Sequence, residues 1–160
     1  LLTEEIIFVN KDQSFIPAEE ILKLLFDNFN GIAISDQPKW ENNFSFIVSS
    51  ENNINSIGYV AKIDTKNLNT FTLAGLKGRF SLAFEKLIEN NPEILSSQYL
   101  QNVGKPTSTF NSKTIGVIGN VRYIKFSSGA EFYYGFYNEY LIISTSENTF
   151  QKILEMIIER

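Results

Sequence analysis

The chain has 160 residues, a formal charge of −4, and neither histidine nor cysteine. That composition excludes Ser-His-Asp and Cys-His nucleophile systems, thiolate chemistry and nearly every zinc, copper or haem site. It also argues against non-specific binding to nucleic acid, and no run of about 20 apolar residues is present to span a bilayer.

Glu5 to Val9 is a short apolar run that predicts a strand. Pro17 sits where a first helical residue belongs, Glu19 and Glu20 suit the first turn, and Ile21, Leu24, Leu25 and Phe29 recur at helical spacing. A helix is therefore predicted over 17–29, stopped by Gly31, with a short strand over 31–35. Pro38 marks a loop over 36–43, in which Trp40 is a candidate exposed anchor. The commoner fate of a loop tryptophan is to fold back onto the core. Phe44, Phe46 and Val48 alternate with Ser45, Ile47 and Ser49, and Ile57 to Ile63 follows a polar turn, so the two read as a hairpin.

Leu73, Leu76, Phe80, Phe84, Leu87 and Ile88 repeat near every 3.6 residues. They predict a helix over about 70–90 that Pro92 ends. Gly75 and Gly78 make its start uncertain by a turn. Residues 92–112 read as a long surface loop with a helical turn near Glu93 to Leu100. Then come four strand-like runs, Lys113 to Ile118, Val121 to Phe126, Glu131 to Tyr137 and Tyr140 to Thr145. Gly119-Asn120, Ser127-Ser128-Gly129 and Asn138-Glu139 separate them. Connections this short force an antiparallel meander, because parallel pairing needs a long crossover. A last helix, about 146–159, carries Phe150, Ile153, Leu154 and Ile157 on one face, with Ser144, Thr145 and Ser146 available as caps.

The strand–cap–helix pattern at 58–65 recurs at 139–146. It has two readings: a duplication into β-β-α halves, or the recurrence that any α+β chain shows by chance. Strands grouped between helices favour α+β over α/β. The expected architecture is one α+β domain over 1–160, with a mainly antiparallel sheet and three helices packed on one of its faces.

Several residue groups bear chemistry. Gly75-Leu76-Lys77-Gly78-Arg79 has the look of a phosphate cradle or of the Gly-x-x-Gly clamp of an RNA-binding module, against the blander reading of a helix start. Within the aromatic run, Phe132, Tyr134 and Phe136 share one strand face, and Tyr133 and Tyr137 the other. The first face reads as core. The second, if open, is an apolar surface for a ligand or partner, and Tyr133, Tyr137 and Trp40 are the candidate contact residues. The pairs Glu85/Glu89 and Glu155/Glu159 lie on helix faces and read as solvated charges, and Arg122 reads as half of a surface ion pair. No metal-ligand motif is present, and no cofactor is expected.

The runs Thr114-Ile115-Gly116, Val121-Arg122-Tyr123, Phe132-Tyr133-Tyr134-Gly135-Phe136 and Tyr140-Leu141-Ile142-Ile143-Ser144-Thr145-Ser146, followed by an amphipathic helix, resemble the ectodomains of uncharacterised bacterial envelope proteins. Residues 56–90 share the likeness loosely. The motif is made of strand apolars and a helix cap and brings no catalytic residues. The resemblance implies an extracytoplasmic α+β region held by an N-terminal membrane anchor; a protein or glycan is the expected partner. The first residues, Leu1-Leu2-Thr3, fit a fragment or processed product of such a chain. The functional expectation is a non-catalytic binding or scaffold domain. The alternatives are a small-molecule or glycan-binding module using exposed aromatics, and a hydrolase working with carboxylates alone.

Overall fold

Seven strands form one open sheet in the computed structural model, which describes residues 2–7, 32–51, 54–95 and 102–160. The strands are β1 (Leu2–Ile7), β2 (Trp40–Glu51), β3 (Ile54–Ile63), β4 (Asn111–Ile115), β5 (Ile118–Lys125), β6 (Glu131–Tyr137) and β7 (Tyr140–Ser144). Their order is β1-β2-β3-β7-β6-β5-β4, and every neighbouring pair is antiparallel. Two helices are described, α1 (Thr70–Asn90) and α2 (Glu147–Ile158). The fold is α+β with an antiparallel sheet. The predicted helix over 17–29 lies outside the described residues.

Local chemistry sets the helix ends. Asn69 caps α1 by accepting the Thr72 N–H at 2.8 Å, and Ser146 caps α2 by accepting the Thr149 N–H at 3.2 Å. After α1, Pro92 permits only a 3-10 turn over Pro92–Leu95. Gly75 and Gly78 lie inside α1, so the proposed glycine loop is helix.

The helices do not share a face. Strand alternation sends Tyr59, Ala61, Ile63, Phe132, Tyr134, Leu141 and Ile143 to one side of the sheet, where they pack with Phe80, Phe84 and Ile88 of α1. Ile47, Val121, Tyr133 and Ile142 point to the other side, where they meet Phe150, Ile153 and Leu154 of α2. The expectation of helices on one face is therefore corrected to one helix on each. This also removes the duplicated β-β-α halves. Two such halves meeting through antiparallel β3 and β7 would be related by a two-fold axis normal to the sheet, and that axis keeps both helices on one side.

Other boundaries move for local reasons. The β4–β5 turn is Gly116-Val117 and not Gly119-Asn120, because Gly116 adopts the left-handed conformation (φ 56°) and Ile115 pairs with Ile118. Residues 34–36 form a 3-10 turn where a strand was expected. β2 starts at Trp40, inside the expected loop, and is continuous over twelve residues.

Candidate functional site

The predicted contact residues are not brought together. Trp40 is 8% exposed and packs edge-on against Phe80 at 5.7 Å, on the α1 side. Tyr133 is 2% exposed on the α2 side, and its hydroxyl donates to Glu131 Oε2 at 2.6 Å. Tyr137 is half-buried beside the α2 cluster. The sheet face that would offer a contact surface at Tyr133 if open is the one α2 covers.

Glu85 and Glu89, read as solvated charges, are internal fastenings instead, and Arg122 is half of an ion pair, as expected, but one made with α1. Arg122 projects from β5 toward α1 and forks onto Glu85, with Nε to Oε1 at 2.6 Å and Nη2 to Oε2 at 3.0 Å. The buried Tyr134 hydroxyl also donates to Glu85 Oε1 at 2.6 Å, and Arg122 Nη1 donates to Ser112 Oγ at 2.5 Å. Hydrogen bonding to Glu85 holds the guanidinium firmly protonated, outweighing its partial burial. Glu89 accepts the Phe110 N–H at 2.9 Å. These groups lock α1 to the far half of the sheet, and their polar atoms are occupied in doing so.

An enclosed cleft among the described residues lies on the α2 side, between the last turn of that helix and strands β2, β3 and β7. Its volume is about 160 Å³. Ile47 and Val60 rise from the sheet, and Ile153, Met156 and Ile157 descend from α2, three and four residues apart on one helix edge. Glu41, Ser45, Lys62, Tyr140 and Arg160 supply the polar part of the lining.

The sequence builds this shape in two ways. Between Trp40 and Phe44, β2 runs four residues against the two of β3 from Ile63 to Ala61, so its register shifts beside Glu41. Lys62 and Tyr140 are register partners across β3 and β7, with the ammonium 5.8 Å from the ring centroid. Lys62 Nζ lies 3.2 Å from Glu41 Oε1 and 3.9 Å from Glu139 Oε1. Its hydrogen bond to Glu41 raises its pKa against a smaller desolvation effect, so the ammonium stays charged through the neutral range. The result is an apolar pit with an ion pair at one side. At about 160 Å³ the pit is smaller than the usual pocket for a drug-sized ligand.

Among the described residues, no three Asp or Glu side chains gather closely enough to hold a metal ion. No described helix is long and apolar enough to cross a membrane.

No family model, curated protein or solved structure matches this chain.

Sequence reading missed the cleft because its lining comes from four separate elements. One local signal was present: Lys62 interrupts the apolar run from Tyr59 to Ile63, between the buried Ala61 and Ile63. A charge kept there asks for a partner and a polar outlet.

Proposed function

We propose that this protein is a non-catalytic binding module of the bacterial cell envelope that seats a small molecule in the α2 cleft. The ligand has a short apolar body and one charged end. The observation that carries this reading is the pairing of an apolar pit with the Glu41–Lys62 ion pair in one concavity. Ligand sites are generally concave and mostly apolar, with a few placed polar groups that fix orientation. A carboxylate-only hydrolase needs two carboxyl groups facing across the scissile bond. In the cleft, Glu41 is engaged with Lys62 instead. The envelope placement rests on the resemblance of the C-terminal strands and helix to envelope ectodomains.

The test is chemical-shift mapping of the protein with butyrate and hexanoate against butylamine and hexylamine. Saturable shifts at Val60, Tyr140, Ile153 and Ile157, stronger for one sign of head group and abolished by Val60→Trp, are the expected result. Absence of saturable shifts at these residues with all four probes overturns the binding site. Recovery of the full-length product in the soluble cytoplasmic fraction overturns the envelope placement.

A further inference from the structure

We propose that the outer face of α1 is a self-association surface on which two copies of this chain cross antiparallel. The inference is independent of the cleft, which lies on the opposite side of the sheet. At 100° per residue, Phe71, Gly75, Gly78 and Leu82 fall within a band of about 60°, directly opposite the core residues Leu76, Phe80 and Phe84. Phe71 is 88% exposed and Leu82 is 59% exposed. Two large apolar side chains thus flank a notch made of two glycines.

Nothing among the described residues accounts for that notch. A Cβ added at Gly78 would meet no atom within 4 Å, and one at Gly75 would meet only the Arg79 side chain, at 3.5 Å. Neither glycine has a positive φ. Glycine inside a helix is destabilising relative to alanine, so two of them on one exposed face point to a close approach from outside.

The spacing specifies what approaches. The midpoint of Phe71 and Leu82 is also the midpoint of Gly75 and Gly78, and it lies between Leu76 and Lys77. A two-fold axis through that point sets Phe71 of each copy against Leu82 of the other and Gly75 against Gly78. Such self-complementarity is the requirement of an isologous interface. A lipid surface would favour large apolar side chains along the whole stripe, whereas knobs at the ends and a notch at the centre fit a crossing helix. Arg79, beside the stripe, is 3.7 Å from Asp36 of its own chain, which tempers repulsion between the two copies. Two large side chains per copy keep the interface at or below about 1,200 Å², in the range of weak, reversible contacts.

The test uses the absence of native cysteine. Sedimentation of the unmodified protein from micromolar to millimolar concentration should show its mean mass rising reversibly toward that of a dimer. Phe71→Cys mixed with Leu82→Cys should form mixed disulfide dimers at least tenfold faster than either variant alone. Like cysteines would sit about 16 Å apart along the helix in this register, while the mixed dimer keeps one intact Phe71–Leu82 contact. Gly78→Leu should keep the native circular dichroism spectrum and stay monomeric over the same range. A monomeric mass at millimolar concentration overturns the proposal, as do equal cross-linking rates in the mixture and the single variants, or undiminished association of Gly78→Leu.

Discussion

Gly58 lies on β3 directly beneath α2, and its replacement by alanine tests the layered arrangement most sharply. The new Cβ would fall on Ile153 Cδ1, 3.2 Å from the Ile143 carbonyl oxygen and 3.3 Å from Thr149 Cγ2. The carbonyl belongs to the β3–β7 ladder and cannot retreat without breaking pairing, so the end of the Ile153 side chain must turn aside. Ile153 is fully buried, and the free volume open to its end group is the adjoining cleft that it lines. Overpacking of this kind costs about 1–3 kcal/mol. At roughly 2–4 °C per kcal/mol for a chain of this length, Gly58→Ala should lower Tm by about 2–4 °C for a cost of ~1 kcal/mol, the low end because the Ile153 end group borders the cleft. Ile153→Val removes the clashing Cδ1 and by itself costs about 0.5–1.5 kcal/mol. The double variant should be more stable than the sum of the two losses allows, by at least ~0.5 kcal/mol. Urea unfolding of the four proteins measures the cycle. A neutral Gly58→Ala, or strict additivity, would refute the placement of α2 over β3.

Three further predictions follow from other parts of the molecule. Glu85→Gln leaves the half-buried Arg122 guanidinium and the buried Tyr134 hydroxyl without their charged acceptor. With discount for partial exposure, the loss should be about 2–3 kcal/mol, read as a fall in urea midpoint, and a change under 0.5 kcal/mol would contradict the fastening role. Gly78→Ala, measured at high dilution, should stabilise the fold by up to ~1 kcal/mol, because it fills open space on a helix, and a lower Tm would show an unseen contact there. Burial holds the hydroxyls of Tyr59, Tyr133 and Tyr134 protonated well above the ordinary tyrosine range. Their folded pKa values exceed the unfolded value near 10, so the stability they confer is complete below pH ~10 and is lost as the pH climbs further. Alkaline titration should therefore show the tyrosinate absorbance of these residues appearing together with unfolding. Its full appearance in a still-folded protein would show that they are not buried.

Much of the architecture is readable in one dimension. Apolar spacing and Pro92 mark the body and end of α1 on the sequence alone, though not its first turn, and the short polar links of the last third dictate a meander. What alternation cannot say is which helix covers which side of a sheet, since either assignment satisfies the same strand. The clue lay in β6 and β7, where Phe132-Tyr133-Tyr134 and Leu141-Ile142-Ile143 are apolar on both faces, the pattern of strands covered twice. The β4–β5 turn was misplaced because two glycines compete for it, and only Gly116 lies where Ile115 and Ile118 can close the ladder. The cleft was invisible for a different reason. Its shape depends on a register shift in β2 and on the lateral position of α2, and neither leaves a local pattern. The α1 stripe was partly legible: its glycines drew notice as a phosphate loop, which their helical setting rules out.

Each helix covers strands from the other end of the chain. α1 follows β3 yet spans β6 and grips β5 through Glu85, while α2 follows β7 yet lies over Gly58 of β3. Pulling the N-terminal strands away from the C-terminal meander would strip both layers at once and leave two raw sheet surfaces. Neither part can loosen alone, so heat or denaturant should melt the molecule in one step. Polypeptides severed between the two parts should recombine like the halves of a clasp.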